Sequence, residues 1–385
     1  MEGFRFVSVI CEYNPFHFGH KFQLDELKKH FDGVVCIMSG DIVQRGTPAI
    51  AGKYLRAETA LNNGADLVLE LPIPWSCSSA RDFAFGGVSI AKAIGSDSLA
   101  FGAEDDFDLL CEIFSFTKTD EFSDIVKNFV VSGRNISYPQ AFTEVIFRRF
   151  GAKAAEAVKK PNNILTLEYL KSLENTGITP FPIKRNCEFL SSSKIRSESD
   201  ADKILSLIPE ESASVLSREK GKSFPRNAHK IDSFFIGTLR QMNYEKRDFS
   251  SLYSMTDDLA QKIIRNSVKA CTVDELAESC ADKSYTLARV RRAINALAFG
   301  IERESVHANP PYTTVLALNE IGRSILKQAK ARKEIDVVNK PVRALECRSE
   351  TKNAFLQASR IEEIISLCDP IPLPADTANN PKIGG

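Results

Sequence analysis

"EYNPFHFGH", Glu12 to His20, follows the apolar run "FRFVSVIC" (4–11). A short β-rich apolar run that ends in a polar, glycine-containing turn reads as a buried strand feeding a helix. His17 and His20, two of only five histidines, stand three apart in that turn with Gly19 between them. In an open α/β sheet, ligands bind beyond the carboxyl ends of the strands. A helix that starts there offers unpaired N–H groups and a partial positive charge, which suit a phosphate. Gly19 lets a flat ring or a phosphate come close to the backbone. Two imidazoles facing one pocket can donate hydrogen bonds to a phosphoryl group as negative charge builds on it. His17 and His20 are therefore the expected catalytic pair of a nucleotidyl transfer. A zinc site would need a further ligand cluster, and none stands out.

The same strand–helix alternation continues outward from this turn. "GVVCIMSG" (33–40), "ADLVLELP" (65–72) and "SDSLAFG" (96–102) read as further strands, and "ITPFPIKR" (178–185) as a last one at a sheet edge, because of its two prolines. Helical patterns lie between them, at about 19–31, 53–64 and 78–94, and dominate from there to about 175. Strands separated by helices imply crossover connections, hence an α/β fold with a parallel sheet and a Rossmann-like nucleotide-binding domain. From about 200 the pattern becomes long amphipathic helices, at 200–216, 228–242, 256–270, 272–281 and 284–300. Only "TTVLAL" (313–318) and "PVRALEC" (341–347) read as extended there. The expected organisation is a catalytic domain over 1–198, a mainly helical domain over 199–368 and a flexible Pro/Gly-rich tail over 369–385.

The chain has 385 residues, 50 Lys+Arg against 50 Asp+Glu, and 43% apolar residues. Zero net charge argues against binding nucleic acid by bulk charge, but not against a local basic surface. Residues 1–197 carry 22 basic and 24 acidic side chains, and residues 198–385 carry 28 and 26, which places any polyanion surface in the second half. No apolar run is long enough to cross a bilayer, and "MEGFRFVSVI" does not read as a secretory leader. Nine scattered cysteines without a C-x-x-C pair suggest reduced thiols and a cytoplasmic protein with no membrane partner.

H-x-G-H after a first strand resembles the HIGH-type nucleotidyltransferases. With "MSGDIVQRGTPA" (38–49), "ADLVLELP", "FGAEDD" (101–106), "KPNNIL" (160–165) and "KSYTLARVRRAINALAFGI" (283–301), the chain looks like the bacterial tRNA(Met) cytidine acetate ligase family, over residues 5 to 350 and in the same order. One stretch departs from that pattern: "NCEFL" (186–190) stands where the family carries a longer segment with a Gly-Ala-x-Tyr-His run. The resemblance implies an ATP-dependent ligase. It would activate acetate as acetyl-adenylate, then acylate the wobble cytidine of elongator tRNA(Met) to N4-acetylcytidine, with ATP as substrate and Mg2+ on the phosphates rather than on protein side chains. It implies no protein partner.

The ATP pocket expected on this basis comprises Ile10, Cys11, Glu12, Tyr13, Asn14, Pro15, Phe16, His17, Gly19 and His20, with Gly102, Asn162, Asn163, Arg185, Ser192, Ser193, Lys194 and Arg196. One asparagine of the 162–163 pair should cap a helix and the other touch the nucleotide. "SSSKIRS" (191–197) should open a helix, with Lys194 and Arg196 supplying charge to the leaving diphosphate. Asp41, Gln44 and Arg45 are candidates for a lid or for reading the acid. Arg289, Arg291, Arg292, Lys327 and Lys330 are candidate tRNA contacts, with Tyr285 and Tyr312 as stacking residues. Two other readings stay open on the residues alone: an adenylyltransferase acting on a nicotinamide-type nucleotide, and an RNA-binding module with a vestigial nucleotide pocket.

Overall fold

A computed structural model describes residues 4–131, 138–185, 188–198, 200–242, 248–371 and 382–383. Five strands, β1 (Phe6–Cys11), β2 (Gly33–Ser39), β3 (Leu67–Leu71), β4 (Ser98–Ala103) and β5 (Thr179–Lys184), run parallel in the order β5-β4-β1-β2-β3. Every residue of β1, β2 and β3 is buried, which is why these strands read as unbroken apolar runs. Alternate residues serve opposite faces. Ile10, Val35, Ile37, Leu67 and Leu69 pack against α3 (Ala80–Ile94). Val7, Val9, Cys36, Met38 and Val68 pack against α1 (Phe18–Leu27) and α2 (Lys53–Asn62). β5 lies at the sheet edge, where Pro180 and Pro182 cost no ladder bonds.

The strand order places the ligand crevice. From β1 the chain steps to β2 and β3, then crosses back to β4 and β5 on the other side of β1. Connections therefore leave β1 and β4 in opposite directions, and their carboxyl ends open a cleft between them.

The second half does not stay apart from this sheet. "TTVLAL" lies in β6 (Tyr312–Leu318), which pairs antiparallel with β3 and continues the sheet to β7 (Asp336–Val338); a short β8 (Lys382–Ile383) also pairs with β6. Asp66 fastens this return. Its carboxylate accepts from Val34 N (2.8 Å), Lys28 Nζ (2.5 Å) and Asn319 Nδ2 (2.8 Å), and its carbonyl accepts from Asn319 N (3.0 Å). Gly322 passes so close that a Cβ there would sit 2.0 Å from Asp66 O. The helix it belongs to, Glu320–Arg332, crosses the amino ends of the strands, with Ile325 against Gly33 and Arg332 beside Gly95.

Between β5 and β6, the helices Asp232–Met242, Asp257–Ser267, Val273–Cys280 and Leu287–Phe299 share one apolar core with Ile361 and Ile365 of the Ser349–Ser366 helix and with Ile42, Ile73 and Cys77 of the sheet unit. "PVRALEC", expected to be extended, begins with a helical turn (Pro341–Ala344), because Pro341 at the first helical position presets that backbone. Asp369, expected in the tail, is buried on Arg226 (Nε–Oδ1 2.6 Å), and Lys230 holds the carbonyls of Asp369 and Pro370. The rest of the expected tail, 372–381 and 384–385, lies outside the described residues.

Candidate active site

His17 is the N-cap residue of α1. Its extended backbone (φ −140°, ψ 174°) lets its Nδ1 accept from Gly19 N (3.0 Å), while His20 Nδ1 accepts from His17 N (3.3 Å). Each ring thus takes the part usually played by Ser and Glu in a capping box. The two imidazoles stack, centroids 3.8 Å apart, and His20 lies edge-on to Tyr13 at 4.8 Å. A Cβ on residue 19 would stand 2.9 Å from His17 Cε1. The flat ring that Gly19 admits is therefore His17's own.

Because each Nδ1 accepts, each proton resides on Nε2, so the pair presents donors. Burial, with Arg185 and Arg196 nearby, lowers the His17 pKa to about 4; burial, His17 and Arg185 push His20 well down too. Both are neutral donors at pH 7. The positive charge at the site comes from arginine and lysine.

The loop under the pair is strained and pinned. Tyr13 has φ 46°, rare for a bulky residue, and is held by Phe16 (4.8 Å) and by its hydroxyl against Cys36 Sγ (3.3 Å). Arg56, 1% exposed, bonds Glu12 O (2.6 Å), Gly40 O (2.5 Å) and Ala51 O (2.9 Å).

A cavity of about 620 Å3 opens at the carboxyl ends of β1 and β4. Ile10, Cys11, Glu12, Tyr13, His17, Gly19, His20, Gly102, Asn162, Arg185, Ser192, Ser193, Lys194 and Arg196 all line it, as do Gln44 and Arg45. Ser191 caps the short Ser192–Arg196 helix, and Arg196 donates to Asn14 O and to Ser193 Oγ (3.3 Å). Burial lowers the Arg196 pKa, Glu12 opposing and Arg45 adding to the effect. A cation held in that state gains from an arriving polyanion. Glu104 sits beside Arg185 (3.9 Å) and accepts from Asn162 Nδ2 (2.5 Å). Gly102 makes room for Arg185, whose Cγ would lie 3.0 Å from a Cβ there.

Other expected residues lie behind the cavity wall. Asn14 is buried and accepts from Ile50 N (2.8 Å). Pro15 offers its carbonyl to Ser192 Oγ (3.5 Å), and Phe16 packs under Tyr13. Asn163 neither caps its helix nor reaches the cavity: fully buried, it accepts from Glu104 N (3.0 Å) and donates to Asp105 (2.6 Å) and Ala157 O (3.0 Å). The N-cap residue Lys160 gives that helix no side-chain cap, and Glu104 Oε1 accepts from Asn162 N (3.3 Å) instead. Asp41 is no lid. It is buried, paired with Arg226 (2.9 Å), and accepts from Lys53 N (2.8 Å); against the effect of burial, Arg226, Lys53 and Arg56 hold its pKa below the carboxylate range. Asn186 and Cys187, in the short segment before the serine motif, lie outside the described residues.

The candidate RNA contacts divide into two groups. The Leu287–Phe299 helix faces the Gln44–Gly46 loop, with Asn295 Nδ2 donating to Gly46 O (2.9 Å). Arg291 is tied to Asp274 (2.8 Å). Arg292 is largely enclosed, and burial lowers its pKa. Arg289 lies over Tyr285 (5.0 Å). Lys327 and Lys330 are exposed at the amino end of the sheet. Seven residues of β2, roughly 20 Å, separate that end from the cavity. Tyr312, 1% exposed, is a core residue. Sequence reading missed Arg56, Phe22, Phe83, Phe101, Tyr169 and Phe189; all but Arg56 line the cavity.

A parallel sheet with a cleft at its order reversal, a neutral histidine pair at a helix start and converging cations define a nucleotidyl transferase architecture. Comparisons with known proteins agree. The HIGH Nucleotidyl Transferase family matches residues 4–374. A tRNA(Met) cytidine acetate ligase of Clostridium perfringens (strain SM101 / Type A) is 32% identical over 366 residues, covering 86% of this chain and 89% of that one. One from Streptococcus suis (strain 98HAH33) is 34% identical over 339 residues, covering 84% and 87%. The crystal structure of Thermotoga maritima TmcAL bound with alpha-thio ATP superposes with a TM-score of 0.88 at 25% identity, covering 98% of this chain and 99% of that one. The chain belongs to the tRNA(Met) cytidine acetate ligase family of HIGH nucleotidyl transferases. Among the described residues, no helix is long and apolar enough to cross a membrane.

Proposed function

We propose that the protein uses ATP to activate acetate and transfers the acetyl group to the exocyclic amine of the wobble cytidine of elongator tRNA(Met). The observation that carries this reading is the meeting of His17, His20, Arg185 and Arg196 in one cavity at the carboxyl ends of β1 and β4. The triphosphate lies along Arg185, Lys194 and Arg196, with the Nε2–H groups of His17 and His20 on the phosphoryl oxygens. An acetate oxygen attacks the α-phosphorus and diphosphate leaves with the electron pair of the broken P–O bond. Neutral imidazoles suit this step, which needs alignment and charge stabilisation more than proton transfer. The cytidine amine then attacks the acyl carbon, and AMP departs. A mixed anhydride makes that attack downhill, whereas free acetate would not acylate an aromatic amine.

Among the described residues no three His, Cys, Asp or Glu side chains gather to cage a metal, and the cavity carboxylates Glu12 and Glu104 already accept from Gln44 N and Asn162. This fits magnesium carried mainly by phosphate oxygens and water, where it would neutralise the leaving diphosphate. For the tRNA, the facing of the Leu287–Phe299 helix and the Gln44–Gly46 loop supports an approach from that side, with Arg289, stacked over Tyr285, as the candidate cation. The base must leave its stack to reach the cavity. The direct test is incubation with ATP, labelled acetate and total tRNA, followed by nucleoside digestion. Labelled N4-acetylcytidine is the expected product. Its absence, with ATP–diphosphate exchange equally independent of acetate, would refute the reading.

A further inference from the structure

Part of the cavity lining is apolar and carries a tyrosine. Ile10, Phe83, Phe101 and Leu165 surround the ring of Tyr169, which projects from the helix Pro161–Leu173 and lies 5.6 Å from the Phe101 ring. Tyr169 is 4% exposed, yet it lines the cavity. Its nearest ionisable neighbours are Cys11 and Glu12 at the end of β1. Of the three other buried tyrosines, two use their hydroxyls within the protein, Tyr13 on Cys36 and Tyr253 on Asp82 and Ser79 N, while Tyr312 lies outside the cavity lining. The Tyr169 hydroxyl has no hydrogen-bond partner among the described residues and is not sealed off by them. Burial raises its pKa, so it stays a donor at any working pH.

A buried phenol with an open hydroxyl calls for an acceptor, because an unmet donor in an apolar wall is costly. The polyphosphate, the cytosine and the acid can be tested against this wall in turn. The polyphosphate is drawn to the cations of the cavity, Arg185, Lys194 and Arg196. A cytosine ring carries an amine, a carbonyl and a ring nitrogen and would meet a single polar partner here. A two-carbon acid matches: one carboxylate oxygen for one hydroxyl, and a methyl group for the aromatic wall.

We propose that Tyr169 binds and selects the acid: its hydroxyl donates to one carboxylate oxygen and turns the other toward the α-phosphorus, while Phe83, Phe101 and Leu165 receive the methyl group and limit its size. This inference rests on the ligase reading above. In the step itself the new bond joins the acid oxygen to phosphorus, the bond to diphosphate breaks, and Tyr169 keeps its proton throughout.

The test is acid-dependent ATP–diphosphate exchange, with ATP KM measured separately, in the wild type, Tyr169→Phe and Leu165→Ala. Tyr169→Phe keeps the ring on Phe101 and loses only the hydroxyl. Its acetate KM should rise about 10- to 100-fold, as expected for a lost bond to a charged group, while its ATP KM stays within twofold. Leu165→Ala should shift preference from acetate toward propionate or butyrate. An unchanged acetate KM in Tyr169→Phe overturns the proposal, as does an ATP KM that rises in step, which would make the hydroxyl a nucleotide contact. A wild type without acid-dependent exchange refutes the ligase reading itself, and this inference with it.

Discussion

Acid should loosen this protein through His17, and a single substitution should remove the effect. The folded state holds His17 at a pKa of about 4, mainly by burial, against about 6.5 in an unfolded chain. Between those values the unfolded chain binds a proton that the folded protein refuses. Stability from this group is therefore complete above pH 6.5 and is lost as pH falls toward 4. At pH 4.5 the loss amounts to about 2 to 3 kcal/mol. His17→Asn keeps a good N-cap acceptor for Gly19 N, so the helix start survives while the titrating group is gone. Urea unfolding of both proteins at pH 7, 5.5 and 4.5 compares the slopes directly, since all carboxylates are shared. The wild type should lose about 2 to 3 kcal/mol more than the variant over that range. Parallel slopes, or an imidazole NMR titration of His17 centred near 6.5, would refute the assigned burial and the neutral-donor argument together. Added ATP should move that midpoint upward, because phosphate charge favours the imidazolium.

Arg226→Met leaves Asp41 and Asp369 buried without their partner and should cost about 3–5 kcal/mol by urea unfolding. A loss under 1 kcal/mol would mean that water reaches the pair. Gly322→Ala drives a Cβ into Asp66 O and should destabilise by about 3 kcal/mol or more; a melting point within 2 °C of wild type would contradict the packing of that helix on β3. Reversing Lys327 and Lys330 to Glu should leave the tRNA KM within twofold, whereas Arg289→Glu should raise it severalfold without altering acetate-dependent exchange. Equal effects from both variants would place the RNA elsewhere.

The cavity was legible from local sequence wherever one segment carries its own geometry. Residues 4–20 hold a strand, a turn and a helix start, and the serine motif carries its own cap, so both could be placed in the pocket before any fold was known. What escaped depends on distant partners. Arg56 reads as a surface cation on an amphipathic helix, and only the carbonyls of Glu12, Gly40 and Ala51 make it a clamp. Asp41 reads as a polar loop residue until Arg226 arrives from 185 positions away. Tyr169 sits in a helix whose apolar residues look like ordinary core, and its open hydroxyl depends on β1 and β4 being its neighbours. "TTVLAL" was visible as extended, but its antiparallel place on β3 was not, because nothing in six residues encodes a partner some 250 positions earlier.

That return of β6 bears on any attempt to study the nucleotide-binding part alone. Cut at residue 198, the chain would present the backbone N–H and C=O row of β3 to solvent, beside a Lys53–Glu70 pair stripped of Glu362. A bare parallel-sheet margin of apolar residues is a template for self-association. The fragment should precipitate on expression, and a soluble minimal enzyme would have to carry the returning strand in its reading frame.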